Sequence, residues 1–290
     1  MKLINSFFLS LLCIIAATSC NSGSNTDNTN AAATATADSA GSGSVDGFKL
    51  GVQMWTFRMF SVTDALNKVD SAGIKNIEAF FGQPLGGDMK GNFGPEMDAG
   101  TRAKLKALLQ SKGISIVAMG VISPKDKAEW VKAFDLAAEF GLSYITSEPK
   151  KDQWDMVDSL AGAYAIKVAI HDHPKPSGYW SPDSVLAAIK GHSNIGACAD
   201  IGHWPRSGLD PVECLKKLDG HVIGVHLKDI VAFDVINAAD TVDYPAVFKE
   251  LKRQNFNGML SIEHESNWYH NLPDVIEIKK YFNDELAKLK

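Results

Sequence analysis

The sequence predicts an α/β protein, a single (β/α)8 TIM barrel that follows a signal peptide and a flexible tether. Two observations predict this fold: strand-like runs alternate with amphipathic helical patterns from residue 46 onward, and eight such runs can be counted. Eight strand–helix units in about 245 residues match the usual size of such a barrel. A doubly wound sheet would carry a glycine-rich loop after the first strand, where Met54-Trp55-Thr56-Phe57 stands instead.

The first 46 residues predict export. Lys2 precedes an apolar run at 7–17 that is too short to cross a bilayer and has the form of a secretory signal. Small residues before Cys20 resemble a bacterial lipoprotein signal, so we expect a signal peptide at 1–19 and lipidation of Cys20; a plain secretory signal is the alternative. Residues 20–46 are predicted to be a disordered tether, and 47–290 the barrel. We therefore expect an extracytoplasmic protein, in the periplasm or at the cell surface, whose lipid anchor is its only membrane contact.

The elements of the barrel follow in order. Strands are predicted at 48–54, 76–80, 115–119, 143–146, 167–170, 195–199, 222–227 and 259–262. Helices are predicted at 61–72, 101–112 and 124–140, each followed by a C-capping glycine, and others begin at 181 and 210. The glycine-rich segment 81–96 is either a lid over the barrel mouth or a surface insertion.

Composition and motifs exclude several functions. The net charge of −5 gives no general attraction to nucleic acid. The chain has no Gly-x-Ser-x-Gly nucleophile elbow, no phosphate-binding Walker loop and no His-Glu-x-x-His zinc motif. A small molecule is therefore the expected partner, and the oligomeric state stays open.

Histidines and carboxylates follow five consecutive predicted strands. In chain order they are Glu148, His171, His173, Asp200, His203, His226 and Glu263, with Lys228 after the seventh strand. One such residue alone is usually a helix cap or a loop residue, but a barrel gathers the carboxyl ends of all its strands on one face. Nitrogen and oxygen ligands without thiolates suit a divalent metal such as Mn²⁺, Mg²⁺, Co²⁺ or Zn²⁺.

The segments IHDHP, ADIGHW, HLKD and GMLSIEHE resemble those of the xylose-isomerase-like TIM barrel superfamily, often labelled sugar phosphate isomerase/epimerase. The resemblance implies a divalent metal held by His171, Asp200, His226 and Glu263. Sugar epimerases of this family carry a glutamate where His171 stands, and that glutamate is one of their two acid/base groups. Either Glu148 supplies the carboxylate to the metal instead, or His171 is itself ligand and proton carrier.

Further side chains on the same face are candidates for substrate binding. They are His173, His203, Arg206, Glu78, Trp55, Trp180 and Trp204. Indole faces stack on sugar rings, and cationic groups stabilise a developing oxyanion. Packing is the alternative role for the tryptophans, and shaping the loop before Pro174 is the alternative role for His173.

The function that these residues predict is a metal-dependent isomerase or epimerase that acts through an enediolate on a carbohydrate or keto-sugar. Glu263 or His171 would remove the proton, and Lys228, with Glu148 as a further catalytic candidate, would assist. The His171 departure makes a lyase or dehydratase acting on a 3-keto-sugar the first alternative. A non-catalytic sugar-binding lipoprotein is the second.

Overall fold

The computed structural model describes residues 44–45, 47–228 and 242–289, and these form a closed barrel of eight parallel strands. The strands are β1 (Phe48–Gln53), β2 (Asn76–Ala79), β3 (Ser115–Ile122), β4 (Tyr144–Ser147), β5 (Lys167–His171), β6 (Ile195–Asp200), β7 (Val222–Leu227) and β8 (Met259–Ile262). Each strand pairs with its neighbours in chain order, and β1 pairs with both β8 and β2, which closes the barrel. The predicted fold class is confirmed.

All eight predicted strands are present, and the largest difference is at β3. This strand continues to Ile122, beyond the predicted end at residue 119. Gly120 explains the extension, because a Cβ atom at this position would lie 2.2 Å from the carbonyl oxygen of Thr146 on β4. The absence of a side chain lets the two strands approach, so a glycine within the run does not mark the end of the strand.

Helices on the outside connect the strands. They are α1 (Val62–Ser71), α2 (Ala99–Lys112), α3 (Lys127–Phe140), α4 (Trp154–Tyr164), α5 (Pro182–Ile189), the single turn α6 (His203–Arg206), α7 (Pro211–Lys217), α8 (Tyr244–Arg253) and α9 (Leu272–Ala287). Ser61, Ser181 and Asp210 accept backbone N–H bonds at the starts of α1, α5 and α7, as predicted. Asp98 and Asp126 cap α2 and α3, which moves the starts of these helices to 99 and 127.

The glycine-rich segment 81–96 contains a two-stranded antiparallel hairpin, Pro84–Gly86 with Met89–Asn92. Thr63 of α1 donates to the carbonyl of Leu85 at 3.0 Å, and Nε2 of Gln83 donates to the carbonyl of Phe60 at 3.1 Å. Leu85 is fully buried. These contacts fix the hairpin against the start of α1, which fits the surface insertion and not the lid.

A small group of buried side chains fills the barrel interior below its open end: Ala118, Tyr144, Ala169, Cys198 and Met259. Ala169 and Cys198 precede His171 and Asp200 by two residues, so they point to the same inner face one layer deeper. Side chains therefore fill the barrel interior, so a ligand can reach the polar groups at the strand ends only from the carboxyl side of the barrel.

The predicted signal peptide, the lipidated Cys20 and most of the predicted tether lie outside the described residues, so they stay predictions. In the part of the chain that the structure describes, no helix is long and apolar enough to cross a membrane.

Candidate active site

Four side chains from adjacent strands meet at the open end of the barrel. His171 ends β5, Asp200 ends β6, His226 lies in β7, and Glu263 directly follows β8. All four are buried, and one ligand atom from each lies within 4.8 Å of the other three. The structure thus brings together the four residues that the sequence predicts as metal ligands.

In the described part of the chain, the facing atoms of this cluster have no aligned hydrogen-bond partner. Nε2 of His171 lies 3.4 Å from Oδ2 of Asp200, and Nδ1 of His226 lies 2.9 Å from Oε2 of Glu263. These atoms are buried and none forms an aligned hydrogen bond. Burial of these four atoms without aligned hydrogen bonds costs free energy, and a cation between them would recover more of it than the ammonium of Lys228, which of the four reaches only Oδ2 of Asp200 at 3.2 Å. Two imidazole nitrogens and two carboxylate oxygens fit a divalent metal ion.

The sequence places Asp200 through the geometry of the loop that follows β6. Oδ1 of Asp200 accepts the backbone N–H groups of Gly202 and His203 at 3.1 and 3.0 Å, which leaves Oδ2 for the cluster. A Cβ atom on Gly202 would lie 2.5 Å from the carbonyl oxygen of Lys228. The glycine therefore lets this loop pack on the end of β7 and brings Asp200, His203 and Lys228 together.

Glu78 has a different position from the one predicted. It is fully buried beneath the cluster, where its Oε2 lies 2.9 Å from Nε2 of His226 and accepts a hydrogen bond from Ser261. It therefore cannot contact substrate, and the predicted binding role is corrected. Because a carboxylate accepts, Nε2 of His226 carries a proton, and with an ion in the cluster Nδ1 would present its lone pair to that ion. Such carboxylate–histidine pairs orient metal ligands.

Replacing Glu78 by glutamine is expected to weaken metal binding about 10-fold, because a neutral amide polarises the His226 ring less than a carboxylate does. The measurement is a competition titration of the metal against a chelator of known affinity. Ser261→Ala is the matched control, since it removes a neighbour of Glu78 and keeps the carboxylate. Equal metal affinity in wild type and Glu78→Gln would contradict the orienting role.

Glu148 lies behind His171 and outside the four-residue cluster. Its Oε1 is 3.5 Å from Nδ1 of His171, on the ring edge opposite Asp200, and it also contacts Nδ1 of His173. Burial opposes the charge, but the hydrogen bonds from His171 and His173 outweigh it and hold the pKa of Glu148 well below its usual range. Of the two alternatives, His171 completes the cluster, and Glu148 orients the His171 ring.

His173 lies at the edge of the site. Its side chain is 48% exposed, and its ring centroid is 4.4 Å from that of His171 and 5.2 Å from that of His203. One atom from each of these three imidazoles lies within 4.8 Å of the others. His173 can therefore contact a ligand that enters the mouth, as predicted for substrate binding.

Lys228 is the cation nearest to the cluster. Its buried Nζ lies 3.2 Å from Oδ2 of Asp200, 3.2 Å from Oε1 of Glu263 and 3.5 Å from Oε2 of Glu265. Burial disfavours the charged ammonium, but these three carboxylates outweigh it and raise the pKa of Lys228. The side chain is therefore a charged donor at the floor of the mouth.

His203 lies between two cations. Its Nε2 is 3.2 Å from Nζ of Lys228, and its Nδ1 is 3.3 Å from Nη1 of Arg206. Burial lowers the pKa of His203 to about 3, so the ring is neutral. Arg206, at the exposed end of α6, contacts the site through His203.

The three predicted aromatic side chains have different environments. Trp55 lies at the rim and is 37% exposed, and Trp180 is half-buried with Nζ of Lys175 4.0 Å from its ring centroid. Trp204 is 1% exposed within the main hydrophobic core. A role for Trp204 as a sugar platform is therefore corrected, because α6 turns its ring away from the mouth while placing His203 beside it.

Replacing Trp204 by alanine is expected to lower the free energy of unfolding by about 3–5 kcal/mol, because it leaves a large cavity in the core. Chemical denaturation of the purified variant measures this change. Trp180→Ala is the comparison, and its smaller buried area predicts a smaller loss. Unchanged stability in Trp204→Ala would contradict the packing role.

Sequence reasoning missed how the loops after β1 and β8 are joined. The Thr56 hydroxyl donates to the carbonyl of Ile262 at 3.4 Å and accepts from the N–H of His264 at 3.0 Å. The side-chain amide of Asn271 donates to the Thr56 carbonyl at 2.5 Å. Polar residues buried next to apolar runs were the available signal, but only the closed barrel places residues 56 and 264 together.

Two histidines and two carboxylates meet at the barrel mouth, and they come from four adjacent strands. This arrangement is that of a barrel protein with a candidate divalent-metal centre. The chain belongs to the xylose isomerase-like TIM barrel family, whose sequence pattern matches residues 66–289. The predicted family resemblance is confirmed.

Three relatives illustrate the similarity. Inosose dehydratase of Clostridium botulinum (strain Alaska E43 / Type E3) is 25% identical over 146 residues, 40% of this chain and 49% of that protein, so the match spans about half of that relative. The crystal structure of an uncharacterized protein from Parabacteroides distasonis ATCC 8503 is 35% identical and covers 83% of this chain and 98% of that one, with a TM-score of 0.69. The structure of an L-ribulose 3-epimerase is 17% identical, and the match covers 83% of this chain and 95% of that one with a TM-score of 0.65. At this identity the similarity shows the fold alone.

Proposed function

We propose that this protein is a divalent-metal-dependent isomerase or epimerase that acts on a carbohydrate or keto-sugar through an enediolate. The observation that carries the proposal is the buried cluster of two imidazoles and two carboxylates at the open end of the barrel. Membership of the xylose isomerase-like TIM barrel family and the similarity to an inosose dehydratase support an isomerase, epimerase or lyase in general.

The proposed chemistry assigns a task to each side chain. His171, Asp200, His226 and Glu263 would hold the ion, which when bound supplies a Lewis acid that makes the proton next to a sugar carbonyl more acidic. Glu263 or His171 removes that proton. Lys228 donates to the oxygen on which negative charge develops. The neutral His203 ring hydrogen-bonds a substrate hydroxyl.

Elimination from a 3-keto-sugar is the second candidate reaction. The hydrogen bonds that restrain Asp200 favour it. Asp200 accepts two backbone N–H groups and also donates its own backbone N–H to Asp172 at 2.8 Å. The backbone N–H of Glu263 also donates, to the carbonyl of Leu227 at 3.1 Å, but among the described residues no backbone N–H donates to its carboxylate, which has the ammonium of Lys228 beside it. One base and one adjacent acid suit loss of a leaving group better than proton transfer at two faces.

Incubation of the metal-loaded protein with keto-sugars in D₂O separates the candidates. Deuterium incorporation with an intact carbon skeleton supports the isomerase or epimerase, whereas an unsaturated product supports the lyase. Absence of both exchange and product with a broad panel of sugars would contradict either reaction, and a binding function would then be favoured. Native metal content below about half an equivalent would count against all metal-dependent chemistry.

A further inference from the structure

We propose that the loops after β1 and β8 form a platform for a second sugar ring, so that the substrate is a disaccharide or glycoside and not a single monosaccharide. The second-ring platform consists of Trp55, Arg58 and Trp268. This inference rests on the proposed function, because the reacting ring is placed at the cluster of His171, Asp200, His226 and Glu263.

Arg58 is the centre of the second-ring platform. Its guanidinium carbon lies 3.5 Å from the centroid of the Trp268 ring and 4.7 Å from the centroid of the Trp55 ring. Among the residues that the structure describes, no carboxylate pairs with this guanidinium. Guanidinium donors lie in the plane of the group, so stacking on the indoles leaves the N–H groups at its edge for a ligand.

The surface around Arg58 is unusually apolar. Four large hydrophobic side chains are exposed in the described part of the chain; Trp55 is one of them and belongs to the platform, and Met59 and Tyr269 directly follow Arg58 and Trp268 in sequence. Phe80 at the end of β2 supports Trp55, with ring centroids 5.1 Å apart in an edge-to-face arrangement. Exposed aromatic faces beside hydrogen-bond donors match a sugar ring, which has apolar C–H faces and hydroxyl groups at its edge.

The platform is held rigidly. Thr56 bonds to both Ile262 and His264, and the buried Asn271 bonds to the Thr56 carbonyl, so the segments that carry Trp55 and Trp268 are joined on both sides. Edge packing on Phe80 and stacking on Arg58 fix the Trp55 ring further. A preformed surface binds a ligand without an ordering cost, which is typical of a binding subsite.

Position and charge select a neutral ring as the occupant. Thr56, which follows Trp55, accepts from the N–H of His264, which follows Glu263, so the platform segment lies beside the start of the loop that carries Glu263 and Trp268. Glu263 and Glu265 lie on that loop, and both face Lys228. Two carboxylates on the loop that also carries Trp268 disfavour an anion such as a phosphate on Arg58, whereas a hydroxylated ring is neutral and still accepts from the guanidinium.

Calorimetric titration of the metal-loaded protein tests the platform. The probes are cellobiose, maltose, lactose and trehalose, each compared with its component monosaccharides, and glucose 6-phosphate as the anionic probe. At least one disaccharide is expected to bind about 10-fold more tightly than its monosaccharides. Trp268→Ala and Arg58→Gln are expected to reduce that ratio to near one. Phe140→Ala is the matched control, since it removes a ring that contacts Lys106 away from the platform.

Each outcome decides the inference. Equal affinity for disaccharides and monosaccharides overturns the platform and leaves the proposed function standing. Tighter binding of glucose 6-phosphate that is lost in Arg58→Gln overturns it in favour of an anion site. No binding of any sugar overturns the platform and the proposed function together. A disaccharide preference that depends on Trp268, without deuterium exchange or product, supports the platform and contradicts the proposed function alone.

Discussion

Replacing Glu263 by glutamine is expected to lower kcat/KM by about 1,000-fold or more while the barrel stays folded. The amide has nearly the same shape as the carboxylate, but it cannot accept a proton, and general bases contribute about 10²–10⁴-fold to rate. It is also a poorer ligand for a divalent ion. Initial rates with a sugar identified by exchange in D₂O, together with circular dichroism of the variant, measure the effect.

Glu265→Gln is the matched control for Glu263→Gln. Glu265 lies two residues further along the same loop, is partly exposed, and contacts Lys228 at 3.5 Å without joining the cluster. Its loss is expected to change kcat/KM by less than about fivefold, as for a partly exposed ion pair. An equal loss of kcat/KM in both variants would show that the negative charge of the loop matters and that the position of Glu263 does not.

Replacing Asp200 by asparagine is expected to remove the metal and to leave the loop after β6 in place. The amide oxygen can still accept the N–H groups of Gly202 and His203, but the amino group that replaces Oδ2 cannot bind a cation. Wild type purified without chelators is expected to carry close to one equivalent of metal, and Asp200→Asn less than about a tenth. Elemental analysis of both proteins measures this difference.

The Tm of Asp200→Asn is expected to differ from that of wild type in its response to a chelator. An ion present at about 100 times its dissociation constant stabilises the folded state by about 2.7 kcal/mol, so chelation should lower the Tm of wild type. The Tm of Asp200→Asn should not respond to chelator. Asp274→Asn is the control, because Asp274 pairs with His264 outside the cluster at 3.2 Å and should keep both metal and response. A chelator effect on Asp200→Asn would contradict the assignment.

The strands and the cluster could be predicted from the sequence because both depend on local patterns. Eight short apolar runs define the strands, and the last residue of a run fixes which side chain reaches the mouth. His171, Asp200, His226 and Glu263 all lie at or next to the ends of predicted strands, which indicates one face of the barrel. The family resemblance added the grouping of these four residues as a metal-binding set, and the structure brings all four into one cluster.

The errors concern residues whose direction depends on tertiary packing. Trp204 follows Asp200 by four residues, but the single turn α6 sends its ring into the core and His203 to the mouth. Glu78 lies beneath His226 because inward-facing side chains of a barrel stack in layers along its axis. The layer to which a residue belongs depends on how far its strand is shifted relative to its neighbours. Neither property has a signal in the sequence of one strand.

Tertiary structure also decides which of Glu148 and His171 joins the cluster. Both residues follow adjacent strands at the same face, so the sequence gives them equal access to an ion. The structure separates them by depth, with His171 almost completely buried and Glu148 at the outer edge of its ring. Arg58 and Trp268 were missed for a related reason, since they meet only across the contact between β1 and β8.

The pairing of β1 with β8 also determines when the site can form during synthesis. Every residue of the cluster comes from the second half of the chain, and Glu263 is the last to be made. The contacts of Thr56 with Ile262 and His264 exist only after that segment has emerged. A ribosome-bound chain that ends before β8 would therefore have three of the four cluster residues and an open sheet, so the complete cluster forms only after β8 and Glu263 have been made.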